Sequence, residues 1–508
     1  MRSRTKRSVA GLLAAGLIFA ACGSDDDGGA DDAPAETEAP AEDDAPAEDD
    51  APAEDEAPAE DEDMSEDEDM SEDEDMSEDE DMGSGEALAL EGDVEIAAGT
   101  TLNLGDCPDD WNPLQGVDGD EIRIGMSLPQ SGPIAAFGAI GEGMQMYFDY
   151  LNENDPIDGK QLVAVLRDDA YEAGRTVANV EEMIDSDDIF ALAHIIGTPN
   201  NLAARPITDD NCVPQLFNST GFPLWGDPAN FPWTVGNILN YATETDIWCS
   251  AMLEQFGEGV TVAALIMNND FGTTYLNTLK NSDACAGIDL VEEQLHDPAA
   301  PDITNEMTTL IATDAQVLVS GTTASYCPQV AANLAASAWR PVFYNSYTCN
   351  NLASFYAPVQ DAIAVLAPEG ASPQFTNSNK VCGDPTFDGD PSIELTKEIL
   401  AEYGDVTCAD GSYSTGVLYG QLVEAVLRPA AEMPGGLNRV NLMASVWNAD
   451  TSNDLYLGGT LKTDGVNDAY FTEAAQLQRV ILTEDGVLSF EATGDPIDLE
   501  GQGGSFQG

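Results

Sequence analysis

Basic side chains are scarce in this 508-residue sequence, which has 17 Lys and Arg against 94 Asp and Glu and a net charge of −77. Because nucleic-acid binding depends on Lys and Arg that neutralise phosphates, this composition excludes a nucleic-acid partner. Outside the N-terminal segment, no apolar run reaches the roughly 18 residues that a membrane-spanning helix needs. Hydrophobic residues make up 43% of the chain, which is enough for a buried core. We interpret the acidic excess as an adaptation to saline water, since salt screens the self-repulsion of such a surface.

Catalytic and metal-binding patterns are also missing. The sequence has no GxSxG, HExxH or Walker A motif, and no cysteines in a CxxC pair. Its 2 histidines, His194 and His296, leave few candidates for a general base or an imidazole ligand. We therefore expect no enzyme activity, no cofactor and no metal site.

The N-terminus has the pattern of an export signal. Lys and Arg are concentrated in the first few residues and precede an apolar run over residues 9–21. This predicts a secretory signal peptide over residues 1–21. The run ends in Phe-Ala-Ala-Cys, which resembles the bacterial lipobox and implies cleavage before Cys22 and lipid attachment to it. Plain secretion with an incidental cysteine is the alternative.

The next segment is acidic and repetitive. Residues 25–81 contain 32 Asp or Glu and no Lys or Arg, in repeats of Ala-Pro-Ala-Glu-Asp and then of Met-Ser-Glu-Asp-Glu-Asp. Like charges repel, and the apolar content is too low to offset the entropy of ordering. We predict a disordered, lipid-anchored acidic tether over residues 22–100. Cation binding by the Met-Asp-Glu repeats is the alternative.

Eight of the 9 cysteines follow Cys22. An even number in an exported protein indicates disulfides, although the count alone leaves the connectivity open. We predict three local pairs and a fourth by elimination: Cys249–Cys285, Cys327–Cys349, Cys382–Cys408 and Cys107–Cys212.

Strands and helices alternate along the rest of the chain. The first series has strands at 122–126, 162–166, 190–196 and 213–217 and helices at 140–151, 176–184 and 203–209. The second has helices at 243–256, 273–281, 303–312, 331–338 and 416–431 and strands at 260–267, 289–294, 316–319, 342–344 and near 362–367. This order predicts an α/β protein with two doubly wound parallel-sheet lobes joined by hinge strands. We place lobe 1 at 116–240 and 366–447, and lobe 2 at 241–365 and 448–495.

The loops at the strand ends carry a family resemblance. The relevant segments are 127–133, Phe137-Gly138, Gly159-Lys160, 167–169, 196–199, 213–217 and 268–272. In this order they resemble periplasmic leucine/isoleucine/valine-binding proteins, the type I solute-binding components of ABC importers, over residues 121–490. The resemblance implies an extracytoplasmic monomer, anchored to the cell membrane through Cys22, that delivers a small ligand to an ABC permease. The expected ligand is a branched-chain or aliphatic amino acid or a related amide or carboxylate. A ligand-sensing receptor component that docks on a membrane signalling partner is the alternative.

Hydroxyl groups on these loops are the candidate ligand donors, since a carboxylate in a dry cleft needs such groups and helix N-termini. They are Ser131, Thr198, Ser219, Thr220, Thr322 and Thr323; ordinary helix capping is the alternative role for each. Phe137 and Phe271 stand where the resembled proteins carry pocket tyrosines. The acidic residue that the resemblance implies for a ligand ammonium is missing from Asn345 to Cys349. Either Asp270 substitutes for it or the ligand is not an amino acid.

Overall fold

The computed structural model describes residues 86–117, 119–458 and 461–501. All of them belong to the unit Glu78–Gly508. The predicted signal peptide, Cys22 and the tether up to residue 85 lie outside the described residues. Within the described part, no helix combines the length and hydrophobicity needed to cross a membrane.

The described chain forms seventeen strands and eleven α-helices. The strands are β1 (Asp93–Ala97), β2 (Thr100–Asn103), β3 (Glu121–Leu128), β4 (Gln161–Asp168), β5 (Ala191–Ala193), β6 (Gln215–Asn218), β7 (Thr234–Gly236), β8 (Val260–Met267), β9 (Ile288–His296), β10 (Val317–Gly321), β11 (Val342–Asn345), β12 (Pro373–Asn377), β13 (Asp450–Thr451), β14 (Leu461–Lys462), β15 (Ala474–Leu482), β16 (Leu488–Ala492) and β17 (Ile497–Asp498). The helices are α1 (Ala139–Asn154), α2 (Ala173–Asp185), α3 (Thr198–Asp210), α4 (Tyr241–Phe256), α5 (Asp270–Asn281), α6 (Thr304–Ile311), α7 (Tyr326–Ala336), α8 (Gln360–Leu366), α9 (Pro391–Ile399), α10 (Tyr413–Glu432) and α11 (Arg439–Trp447).

The first sheet has five parallel strands in the order β4-β3-β5-β6-β7. Ile122, Ile124 and Met126 of β3 alternate along the strand and join the apolar residues of α1, α10 and α11 in one core cluster. A separate cluster joins α2 and α3 to Leu192 and Val213. Because successive strand residues point to opposite faces, two clusters on one sheet mean that helices cover both faces.

The second sheet runs β9-β8-β10-β11-β12 in parallel and then adds β15 and β16 in antiparallel. β8 is a nearly continuous apolar run with all but one residue buried, as expected for a central parallel strand. The predicted α/β fold with two parallel sheets is confirmed. The strand predicted near 362–367 is wrong: this segment is α8, and the strand is β12. A short run of small apolar residues fits both periodicities, so length and pattern did not distinguish them.

The lobe boundaries also differ from the prediction after residue 365. β12 pairs with β11 and β15, so residues 366–377 belong to the second sheet. Leu455, Tyr456 and Phe471 are buried in the core of the first lobe. Residues 448–471 therefore belong to the first lobe and not to the second. The chain therefore passes between the lobes three times, near 237–240, 378–380 and 472–473. The Thr472 hydroxyl donates a hydrogen bond of 2.7 Å to the Asn237 carbonyl and ties two of these crossings together.

The end of the predicted tether is part of the folded body. β1 and β2 form an antiparallel hairpin in which Val94, Ile96 and Leu102 are buried in the first core. The Asn448 amide donates to the Ile96 carbonyl at 2.7 Å. Residues 93–100 therefore do not belong to a disordered tether. The alternation of apolar and polar residues from Val94 onward, after the acidic repeats have ended, is the signal that was overlooked.

The four predicted disulfides are the ones that the structure contains, with Cα–Cα distances of 5.1–5.7 Å. Cys107–Cys212 joins the N-terminal segment to the loop between α3 and β6. Trp111 strengthens this attachment, since its indole donates to the Cys212 carbonyl at 3.0 Å and its ring packs edge-on against Trp233.

Candidate functional site

A cavity lies where the carboxyl ends of the two parallel sheets meet. The volume that water can occupy in it is about 80 Å³. Both lobes and the segments between them supply its walls: Phe137, Ile140, Tyr171, Ile196, Gly197, Ser219, Ile238, Tyr241, Phe271, Thr323, Tyr347, Thr348, Asn350, Asn351, Asn379, Ser412, Thr415 and Tyr419. A ligand site at this position is typical of open parallel sheets, whose strand-end loops carry the variable side chains.

Four of the predicted site residues line this cavity. Phe137 and Ser219 follow β3 and β6 in the first lobe, and Phe271 and Thr323 follow β8 and β10 in the second. Ser219 Oγ and Thr323 Oγ1 are buried and form no hydrogen bond of ordinary geometry in the described structure, and the Ser219 hydroxyl faces that of Tyr419. A buried hydroxyl without a hydrogen bond raises the free energy of the folded protein. These two groups are therefore the ones that a ligand would stabilise most by hydrogen bonding.

The other four predicted residues do not line the cavity. Ser131 is exposed, and its hydroxyl donates to Asp168 Oδ2 at 2.7 Å. Thr198 and Thr220 hydrogen-bond to each other at 2.5 Å, and Thr322 Oγ1 lies 2.7 Å from Nε2 of a buried histidine. Hydroxyls at strand ends also bond within their own lobe, and sequence position alone does not separate the two roles.

Four tyrosines line the cavity that were not predicted from the sequence: Tyr171, Tyr241, Tyr347 and Tyr419. Burial raises the pKa of each phenol, so all four are neutral. Tyr171 and Tyr347 directly follow β4 and β11, so the strand-end argument could have identified them. Tyr419 lies within α10, and its place in the wall depends on how that helix packs.

The loop that carries Tyr171 is held by a buried carboxylate. Asp169 accepts hydrogen bonds from Ser127 Oγ and Tyr171 N, both at 2.8 Å, and from Thr176 Oγ1 at 3.1 Å. Ala170 and Tyr171 have positive φ values of 50° and 64°, a conformation that side-chain-bearing residues seldom adopt. The Asp169 bonds offset this strain. The loop points the Tyr171 hydroxyl across the cleft toward Asn269.

Tyr419 is backed by a neutral histidine. The ring of His194 stacks on Tyr419 with centroids 3.9 Å apart and on Phe217 with centroids 5.6 Å apart. Burial lowers the pKa of His194 to about 3, so the imidazole carries no charge at neutral pH. This stack gives the first lobe a rigid aromatic wall without introducing charge.

A buried carboxyl group supports the opposite wall. Glu244 of α4 is fully buried and accepts hydrogen bonds from Tyr275 Oη at 2.6 Å, Tyr347 N at 3.0 Å and Thr376 Oγ1 at 3.1 Å. Burial raises the pKa of Glu244 to about 8 despite these donors, so the group is largely protonated at neutral pH. Glu244 therefore fixes the Tyr347 loop from behind and does not itself line the cavity.

The lobes touch each other around the cavity. Phe137 packs edge-on against Phe355 of the second lobe, with ring centroids 5.9 Å apart. Asn351 Nδ2 reaches Ser412 Oγ of the first lobe at 3.4 Å. Asp270, the substitute considered for the missing acidic residue, is exposed and is not part of the wall.

Two α/β lobes that enclose a cavity between their strand ends define a bilobed ligand-binding protein. The periplasmic binding protein family model matches residues 121–380, which is about half of the chain. The chain belongs to the periplasmic binding protein family. This is a family of binding proteins and not of enzymes.

Comparison with individual proteins agrees with this family. A 91-residue segment is 28% identical to a leucine-, isoleucine-, valine-, threonine- and alanine-binding protein of Pseudomonas aeruginosa; it covers 18% of this chain and 23% of that protein. A branched-chain amino acid ABC transporter structure from Thermus thermophilus with bound valine aligns with a TM-score of 0.63 and 16% identity over 74% of this chain and 96% of that one. An ABC transporter solute-binding protein from Rhodopseudomonas palustris with 3,4-dihydroxybenzoic acid aligns with a TM-score of 0.60 and 16% identity over 75% and 98%. At these identities the structural likeness concerns the fold.

Proposed function

We propose that the protein is an extracytoplasmic solute-binding component of an ABC importer that captures a small ligand in the cleft. The ligand class is that of branched-chain or aliphatic amino acids and related amides and carboxylates. The observation that carries the proposal is the cavity between the lobes, because each lobe contributes one buried hydroxyl without a hydrogen bond of ordinary geometry, Ser219 and Thr323. Lipid attachment at Cys22 would keep the protein beside its permease.

Ligand capture is tested with the native protein and two wall variants. Native mass spectrometry identifies a co-purifying molecule, and calorimetry measures its affinity for the wild type, Phe271→Ala and Phe137→Ala. Both rings face the cavity, so each truncation should weaken binding about tenfold or more. Ser131→Ala is the matched control, since its hydroxyl bonds to Asp168 outside the cavity, and its affinity should equal that of the wild type.

Two results would contradict the proposal. One is the absence of any bound or titratable small molecule. The other is a ligand whose affinity is the same in both wall variants as in the wild type, because such a ligand would bind outside the cleft. Thermal melting of each variant without ligand checks that the fold is intact.

A further inference from the structure

The walls of the cavity carry no charged side chain. Among the described residues that line it there is no Asp, Glu, Lys, Arg or His. Three acidic groups lie near the cavity without lining it, and the charge of Asp270 contributes to the raised pKa of Tyr171. Asp169 accepts three hydrogen bonds beneath Tyr171, Glu244 lies behind Tyr347, and Asp270 is exposed. A ligand enclosed here therefore meets no counter-charge for an ammonium group.

Two amide oxygens in the wall are already in use. Asn351 Oδ1 accepts from Ser354 N at 2.8 Å, and Asn379 Oδ1 accepts from the Tyr347 hydroxyl. An ammonium group has three donors and no acceptor, and burying it without a carboxylate partner is strongly unfavourable. These side chains consequently do not replace the missing acidic residue.

Donors remain free in the same cavity. Ser219 is 8% exposed and Thr323 is 5% exposed, and both hydroxyls lack a partner of ordinary geometry while facing the cavity. Gly197, also in the wall, immediately precedes α3, whose dipole favours a ligand oxygen, while Pro199 in its first turn supplies no N–H group. The hydroxyls and the helix end together suit a carboxylate or carboxamide oxygen.

We propose, on the basis of the proposed function, that the ligand is a small apolar carboxylic acid or carboxamide without an ammonium group. The aromatic and isoleucine side chains of the wall contact its apolar body, and Ser219 and Thr323 donate to its oxygen atoms. The open volume of about 80 Å³ holds roughly five to eight water-sized groups, which limits the ligand to a short chain or a single small ring.

The test compares molecules that differ only in the ammonium group. Calorimetry measures 4-methylpentanoate against leucine, 4-methylpentanamide against leucinamide, and 3-methylbutanoate against valine, with the wild-type protein freed of bound ligand. The acid or the amide should bind at least about tenfold more tightly than its amino counterpart, because only the amino compound buries an ammonium group without an acidic partner. The acid and amide arms then show which oxygen head group the site prefers.

Variants assign the effect to the cavity. Ser219→Ala and Thr323→Val should each weaken the preferred acid or amide about tenfold. Asn351→Asp places a carboxylate in the wall while keeping the bond from Ser354 N, and Ser412 can rotate to donate to the new oxygen. This variant should shift the preference toward leucine. Thermal melting confirms that each variant folds. The comparison of ligands on the wild-type protein does not depend on the variants.

The outcomes separate the inference from the function on which it rests. Amino acids that bind as tightly as the matched acids and amides, or more tightly, would overturn the inference and leave solute binding intact. The same holds if only a ligand of another class binds in the cleft. If no small molecule binds to the protein at all, both the inference and the proposed function fail.

Discussion

Glu244→Gln should remove a large part of the pH dependence of stability. The carboxyl group is fully buried, and burial raises its pKa from 4.5 to about 8. Between these values the folded state holds a proton that the unfolded state has released, so the free energy of unfolding falls as pH rises. The slope is about 1.4 kcal/mol per pH unit, which gives at most about 5 kcal/mol over the whole window.

Glutamine is a close replacement for the protonated acid. Its Oε1 can accept from Tyr347 N and Thr376 Oγ1, as Glu244 Oε1 does, and its Nε2 can donate to the Tyr275 hydroxyl, which also faces Ser346. We therefore expect the variant and the wild type to agree within about 1 kcal/mol near pH 5.5. Near pH 8.5 the variant should have gained about 3–4 kcal/mol relative to the wild type.

Urea unfolding of both proteins, followed by tryptophan fluorescence, measures this difference. The series runs from about pH 5.5 to about pH 8.5 in about 0.5 M NaCl, which screens the surface charges. Glu254→Gln is the matched control, because it removes an exposed carboxylate from the same helix. Its pH profile should follow the wild type. If the Glu244→Gln profile also runs parallel to the wild type, Glu244 is ionised in the folded protein at neutral pH and the reasoning from burial is wrong.

Two further predictions concern the covalent features. Replacing Cys107 and Cys212 together by Ala should lower the free energy of unfolding by about 2–5 kcal/mol. The loss should be about 1 kcal/mol larger than for the same change at Cys327 and Cys349. The reason is that the first disulfide closes a loop of 105 residues and the second a loop of 22. An equal or larger loss at the shorter loop, measured in urea, would contradict the chain-entropy argument. Cys22→Ala should move the protein from the membrane fraction to the soluble one, and a variant that stays with the membranes would refute lipid anchoring at this residue.

The fold could largely be predicted from the sequence because its signals are local. The alternating apolar residues of β3 and the buried run of β8 identify strands, and the helical spacing of Ile140, Met144, Phe148 and Leu151 identifies α1. Helix starts were also encoded, since the side chains of Asn240, Asn269 and Asn438 cap α4, α5 and α11. Local patterns did not show where the chain last passes between the lobes, because that position depends on which core Leu455, Tyr456 and Phe471 enter.

The site was only half predictable, for a related reason. A strand-end rule finds loops near the cleft, and the structure places Phe137, Ser219, Phe271 and Thr323 in one cavity wall. It does not show which hydroxyls find partners inside their own lobe. Thr322 and Thr323 are adjacent in sequence, yet one bonds to His296 and the other faces the cavity. That choice depends on packing between elements that are distant in sequence.

The arrangement of the two unpartnered hydroxyls explains why a ligand would favour the closed lobes. Ser219 belongs to the first lobe and Thr323 to the second, so a ligand can bond to both only when the cleft is shut. Direct contacts such as Phe137 against Phe355 already hold the lobes together, but they leave both hydroxyls unsatisfied. A ligand that supplies the missing acceptors adds its hydrogen bonds to the closed state alone, and only such differential contact shifts a conformational equilibrium. In the proposed function, closure and recognition therefore depend on the same two side chains, and a molecule that reaches one hydroxyl but not the other would bind without stabilising the closed form.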